Sequence, residues 1–198
     1  MRKSFRIFAV TAVALAATAM TAQAQQAKQF GIVAGVDFAD ITGTDFDGTS
    51  SKTGFVGGLY VAIPMGDRVA IEPEVLYASK GAQDSENSNF KLNNNYIEIP
   101  VLVRYSFNNN GGPYLLAGPA VGFSISCKIT DGSTDVDCSD TNGLGLQTNT
   151  TFGGVVGLGF QKNRFGLEGR YDFDFGSAFK DSNGKNAVWE ILARIMIK

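Results

Sequence analysis

From Gln29 onward, apolar residues fall at every second position, the period of an extended strand whose two faces meet different surroundings. Segments rich in Gly, Asn, Asp and Ser separate the runs, and these residues favour turns. Eight such runs predict eight strands. The first, about 29–39, sets Phe30, Ile32, Ala34, Val36 and Phe38 against Gly31, Gly35 and Asp37. The second, about 53–63, sets Phe55, Leu59, Val61 and Ile63 against Gly54, Gly58 and Tyr60. In the third, about 68–80, Val69, Ile71, Val75 and Tyr77 oppose Arg68, Glu72 and Glu74, and Pro73 predicts a local break or bulge. The fourth, about 96–107, is the most regular: Ile97, Ile99, Val101, Val103, Tyr105 and Phe107 oppose Glu98, Pro100 and Arg104.

The fifth run, about 113–127, places Leu115, Val121, Phe123 and Ile125 opposite Gly118, Gly122, Ser124 and Ser126, with Pro119 in its middle. The sixth, about 150–160, opposes Phe152, Val156, Leu158 and Phe160 to Gly153, Gly157 and Gly159. The seventh, about 164–175, opposes Phe165, Leu167, Tyr171, Phe173 and Phe175 to Glu168, Arg170, Asp172 and Asp174. The last, about 187–197, sets Trp189, Ile191, Ala193, Ile195 and Ile197 against Glu190 and Arg194. The connections alternate in length. Those after the second, fourth and sixth runs are brief, whereas segments of about 40–52, 81–95, 128–149 and 176–186 are long and polar. An up-and-down meander then gathers every long loop at one end, the layout of outer-membrane barrels with short periplasmic turns and longer extracellular loops.

The N-terminus has a different pattern. Arg2, Lys3 and Arg6 precede an apolar run from Ile7 to about Met20, followed by Ala22-Gln23-Ala24. This is the form of a secretory signal peptide, with cleavage expected after Ala24 and a barrel domain over 25–198. The later sequence has no apolar stretch long enough for a membrane helix, so a spanning chain must cross as a closed barrel. Cys127 and Cys138 fit an oxidising compartment and are expected to pair, although spacing alone leaves two free thiols open. A formal net charge of -2 removes the electrostatic basis for nucleic-acid binding.

Alternation alone does not say which face points inward, because soluble barrels share it. Glycine decides. Gly31, Gly35, Gly54, Gly58, Gly118, Gly122, Gly153, Gly157, Gly159 and Gly166 all lie opposite the apolar residues. Glycine weakens a strand unless space is short, as it is inside a narrow barrel, so the polar and glycine face is placed inward and the apolar face toward lipid. Phe30 and Phe38, Phe152 and Phe160, and Phe165 and Phe173 each recur eight residues apart. Eight steps along a strand tilted by about 40° rise roughly 20 Å, near the separation of two interfacial aromatic girdles.

Three segments carry a family resemblance: Phe30 to Val36, Tyr96 to Tyr105, and Pro113 to Pro119. Together they resemble the PorT-like, OmpX-like small outer-membrane β-barrel proteins, and the resemblance covers the chain after the leader. It implies an all-β, eight-stranded antiparallel up-and-down transmembrane barrel in the outer membrane, delivered by the outer-membrane insertion machinery. It implies little about task beyond an extracellular or secretion-complex protein partner.

The inward face brings Asp37, Glu72, Glu74, Glu98, Glu168, Asp172, Asp174 and Glu190 into the lumen beside Arg68, Arg104, Arg170 and Arg194. Enclosed charges must pair, so a salt-bridge plug is the plainest expectation, with an ion path or a carboxylate pair as the sharper ones. On the fourth strand, Glu98 is expected to pair with an arginine and Leu102 to face a polar lumen. Histidine is absent, which removes the usual general base and histidine-based metal sites. No catalytic residue, cofactor or metal is expected. The glycine-rich segment Gly153 to Gly159 lies in a strand with no helix after it, so it reads as barrel wall and not as a phosphate loop. Asp45-Phe46-Asp47-Gly48 and Asp135-Val136-Asp137 lack the further oxygen ligands of a calcium loop and read as solvated acidic loops. The leading expectation is a non-enzymatic barrel that presents polar loops outside the cell, the alternatives being an accessory part of a secretion or envelope-assembly complex and a narrow pore.

Overall fold

The computed structural model describes residues 28–42, 49–84, 90–131, 134–138, 150–178 and 185–197. Its strands are β1 (Gln29–Thr42), β2 (Thr49–Pro64), β3 (Val69–Asp84), β4 (Phe90–Ser106), β5 (Gly112–Asp131), β6 (Thr134–Asp137), β7 (Thr151–Lys162), β8 (Phe165–Asp174) and β9 (Lys185–Met196). All pairings are antiparallel, β9 returns to β1, and β4 pairs with β5, so the sheet closes on itself. Eight of the strands form the wall. The short β6 pairs only with the outer end of β5, from Lys128 to Asp131, while β7 takes the inner part of β5 from Gly112 to Gly122. Among the described residues, closure gives every wall strand a paired neighbour on both sides, the condition for burying backbone in lipid. The inner turns are tight: only Asn163 and Arg164 join β7 to β8, and Asn163 takes a φ of 55°, a left-handed conformation that asparagine tolerates.

The wall runs further outward than the hydrophobic alternation does. The described residues of the segments 40–52 and 81–95, expected as loops, are strand: β1 and β9 stay paired to Thr42 and Lys185, and β3 and β4 to Gln83 and Lys91. Lys91 and the outward-leaning Asn93 and Asn95 occupy this extension. Alternation fades where the outer face meets water in place of lipid, although backbone pairing needs no apolar side chain. A bulge opposite Asn95 and Tyr96 leaves Ile125 as an extra residue on β5. Beyond it the strand reverses its facing, so Ile129 turns inward. At Pro73 the β2–β3 pairing lapses between Tyr60↔Glu74 and Ile63↔Ile71 without a shift of register, as a residue lacking an N–H requires.

The outer face is apolar and exposed on every wall strand, and the polar residues are buried inside. On β4, Val101 is 42% exposed and its neighbour Leu102 is fully enclosed. Aromatic residues gather at two levels. Phe38, Trp189 and Tyr171 are cross-strand neighbours near the outer end, with Tyr171 and Trp189 ring centroids 4.7 Å apart. Tyr105 and Phe107 meet edge to face near the inner end. Inside, glycine makes room for tyrosine: a Cβ on Gly31 would strike the Tyr60 ring, and one on Gly159 would strike the Tyr114 phenol.

Candidate functional site

The lumen is filled by two tiers of charge. In the inner tier β3 supplies Glu72 and Glu74, β4 Arg104, β8 Glu168 and Arg170, and β9 Arg194, each two residues or a multiple of two from its fellows on the strand. Arg170 grips Glu74 with both terminal nitrogens, at 2.7 and 2.9 Å, and its Nε donates to Glu168 at 2.7 Å. Arg194 bonds to the other oxygen of Glu168 and donates to Glu72 at 2.8 Å. Arg104 completes the chain on Glu72 at 3.2 Å. The cations are also stacked on rings, with Arg104 Cζ 3.8 Å from the Tyr114 centroid and Arg194 Cζ 4.0 Å from that of Tyr60. Tyr114 donates its hydroxyl to Glu168 at 2.6 Å. Three carboxylates thus face three guanidiniums in a bonded network, an arrangement suited to rigidity.

The outer tier is built differently. Lys80 from β3 bonds to Glu98 of β4 and, at 2.6 Å, to Asp172 of β8. Asp174 accepts from Asn186 at 2.7 Å, and Asn94 donates to the Tyr96 hydroxyl at 2.8 Å. Asp37 and Glu190 are buried at the same level as directly opposed partners on β1 and β9. Oxygens of Glu98, Asp172 and Glu190 lie within 4.8 Å of one another. Above this tier an apolar cluster of Ile41, Ala82, Leu92, Ile129, Cys138 and Ala178 caps the lumen. Below the inner tier a vestibule of about 670 Å³ opens at the inner end, floored by Glu72, Arg104 and Gln161 and rimmed by Arg68 and Asn108 to Asn110.

Several sequence expectations change here. Arg68 stands exposed in the β2–β3 turn, one step before β3, and takes no part in the inner network. Glu98 pairs with Lys80 and not with an arginine, because the arginines lie in the tier below. Leu102 faces an apolar pocket of the lumen with Tyr114, Leu116, Ala120 and Val155. Lys80, Lys52, Tyr60, Tyr96, Tyr114 and Gln161 belong to the lumen without having been singled out as site residues. Ala24 and the segment 45–48 lie outside the described residues.

Cys127 lies within β5 and Cys138 directly follows β6. They are joined by a disulfide with Cα atoms 5.4 Å apart, and the Cys138 amide donates to the Cys127 carbonyl at 3.1 Å. The bond holds the β5–β6 hairpin against the outer cap. Closing a loop this short restricts the unfolded chain by about 2–3 kcal/mol. Cys127→Ala/Cys138→Ala is therefore expected to lower the urea midpoint of the refolded barrel accordingly. Reductant should shift the wild type to the same value, and identical midpoints with and without reductant would show no contribution from the bond.

A closed eight-stranded wall, a lipid-like outer face and a polar interior describe a membrane barrel, and comparison with known families agrees. The family model described as outer membrane protein beta-barrel domain matches residues 22–180. The chain belongs to this family. No curated protein sequence matches it. Among solved structures it is similar to Neisserial surface protein A, with 13% identity and a TM-score of 0.57 over 86% of this chain and 99% of that one. It is also similar to Ail, the attachment invasion locus protein of Yersinia pestis, with 15% identity and a TM-score of 0.52 over 87% of this chain and 100% of that one. Identities so low speak for the fold alone. As an outer membrane β-barrel protein, the chain has the lipid bilayer as its surroundings, which accounts for an outer face whose exposed residues include Phe30, Leu59, Val101, Leu158 and Ile191.

Proposed function

We propose that this barrel is a rigid outer-membrane scaffold whose outer connections contact molecules outside the cell, and that it does not serve as a solute channel. The observation that carries the reading is the filled lumen: a bonded inner tier, a second charged tier and an apolar cap lie in series above the vestibule. Eight strands leave an interior just wide enough for side chains, and here they occupy it. The outer end extends polar strands beyond the aromatic level and braces one hairpin with a disulfide, a stable base for recognition. The Ail structure was determined in complex with a heparin analogue, sucrose octasulfate, so a barrel of this architecture can bind a ligand. A signal peptide removed after Ala24 belongs to the same reading, with a mature N-terminus at Gln25. An accessory role in secretion or envelope assembly rests on the PorT-like resemblance alone, and no described residue favours it over surface contact.

Two measurements test the reading together. In planar bilayers the purified barrel is expected to give no stepwise conductance. On intact cells, exchanging the segments 43–48, 85–89 and 139–149 for short glycine-serine linkers is expected to abolish binding of the cells to the surface or ligand they recognise while leaving the heat-dependent gel shift of the folded barrel. Reproducible conductance, or unchanged cell-surface binding after the exchange, would overturn it.

A further inference from the structure

The inner end of the barrel carries more positive charge than it balances. Lys28, Arg68, Lys162 and Arg164 are exposed there, just before β1, in the β2–β3 turn and around the β7–β8 turn. None of the four enters an ion pair among the described residues. Asp67 is the one carboxylate among the described residues of the inner turns 65–68, 107–111 and 163–164. This basic rim adjoins the vestibule, whose lining includes Arg68 itself and Gln29 and Asn163 beside the other cations. The vestibule's volume of about 670 Å³ is that of a small-ligand pocket. Its wall is rich in amides, Gln29, Asn108, Asn109, Asn110, Gln161 and Asn163, each offering a donor and an acceptor. On its floor Glu72 is already met by Arg104 and Arg194. Arg104 is held more loosely than Arg170: it stands 3.2 Å from Glu72 and 3.5 Å from Gln161, and its Nε has no partner. Its side chain keeps 11% exposure, whereas those of Arg170 and Arg194 keep at most 1%. A cationic rim, an amide wall and a guanidinium at the floor suit a ligand that combines hydroxyl and acetamido groups with several carboxylates.

We propose that the vestibule and its basic rim bind the cell-wall glycopeptide beneath the outer membrane, a polymer of N-acetylated sugars bearing peptides with free carboxylates. The tight turns place this mouth on the periplasmic side, where that polymer lies. The proposal concerns the end opposite the outer connections and does not depend on what those contact. A carboxylate entering the vestibule accepts from the Arg104 Nη2 in place of the long bond to Gln161, because a charged oxygen is the stronger acceptor. The released Gln161 amide and the turn asparagines are then free to meet hydroxyl and acetamido groups. Further carboxylates of the polymer meet Arg68, Lys162 and Arg164 around the rim. Each such contact is weak and screened by salt, and the polymer makes several at once. Lipid headgroups are the poorer occupant, because they meet the outside of the wall and the vestibule opens within it. Bound in this way, the barrel tethers the membrane around it to the cell wall.

The test uses the full chain refolded into zwitterionic detergent. It is expected to sediment with purified cell-wall sacculi at low salt, to be released as salt rises, and to be displaced by a soluble disaccharide-peptide fragment of the wall. Sacculi whose carboxylates have been converted to amides should hold far less of it. Asn109→Asp/Asn110→Asp changes two exposed turn residues and sets like charge at the mouth, so it is expected to weaken binding by ~10-fold or more. Arg68→Gln/Arg164→Gln, outside the bonded network, should weaken it as well. The heat-dependent gel shift confirms that each variant has folded, and either variant carries the test if the other does not fold. Wild type that stays in solution with sacculi at low salt would overturn the proposal. So would equal binding of amidated sacculi, or undiminished binding by the folded asparagine variant. Displacement by glycerol phosphate as readily as by the wall fragment would assign the rim to lipid headgroups and overturn the cell-wall reading.

Discussion

Arg170→Met is expected to destabilise the refolded barrel by about 3–5 kcal/mol, the range found when one partner of a buried ion pair is removed. The Arg170 side chain is enclosed and holds Glu74 through two hydrogen bonds and Glu168 through a third. Methionine preserves most of the volume and removes all three. Glu168 would keep Arg194 and the Tyr114 hydroxyl, but Glu74 would lose the cation that balances it. Arg170→Lys is expected to recover only part of the loss, because a single ammonium cannot reproduce the planar fork that meets both carboxylates. Arg170→Met/Glu74→Gln should be milder than Arg170→Met, since the stranded charge is then removed as well. The urea midpoint of each variant in lipid vesicles reads these differences. A loss below about 1 kcal/mol for Arg170→Met, the value of a solvated pair, would show that water reaches the inner tier.

The barrel was legible in the sequence because lipid outside and a crowded polar lumen inside impose unlike demands on alternate residues. Val101 and Leu102 fall on opposite faces as the two-residue period requires. The charged lumen was legible for the same reason: Glu72 and Glu74, or Glu168, Arg170 and Asp172, keep phase with the glycine face. Lys80 keeps that phase too, eight and six residues beyond Glu72 and Glu74, but it stands at the polar end of its run, where alternation no longer marks a strand. Lys52 is in phase with Gly54 and Gly58 and was lost to a segment read as loop. Pairing in this outer extension is set by the partner strand's backbone, and composition says little about it. The bulge at Ile125 was not legible either, because a one-residue insertion reverses facing without leaving a mark among the serines around it. The heights of the charged groups emerge only when strand register sets them: Asp37 and Arg170 both lie opposite Glu190, whereas Arg194 lies opposite Val33.

Val101→Arg is expected to cost about 2–4 kcal/mol in lipid vesicles, the range for a basic side chain at the bilayer midplane of an outer-membrane barrel. Val101 is outward-facing on β4 and lies midway between Tyr105, at the inner aromatic level, and Ile97, which pairs with Phe123 toward the outer end. Val69 pairs with Tyr105 and is also exposed, so Val69→Arg places the same charge beside the interface and should cost only about 0–1 kcal/mol. The contrast separates depth in a membrane from simple surface tolerance, since a water-exposed wall would accept arginine equally at both positions. Leu102→Gln probes the opposite face. The amide would enter the pocket formed by Tyr114, Leu116, Ala120 and Val155, and burying it without a partner costs about 1–3 kcal/mol. That penalty arises inside the barrel and should be the same in thick and thin bilayers, whereas the Val101→Arg penalty should fall as the bilayer thins and the guanidinium reaches the headgroups more easily. Equal urea midpoints for Val101→Arg and Val69→Arg would contradict the placement of β4 against lipid. A bilayer-thickness dependence for Leu102→Gln in place of Val101→Arg would mean that the two faces of the strand had been exchanged.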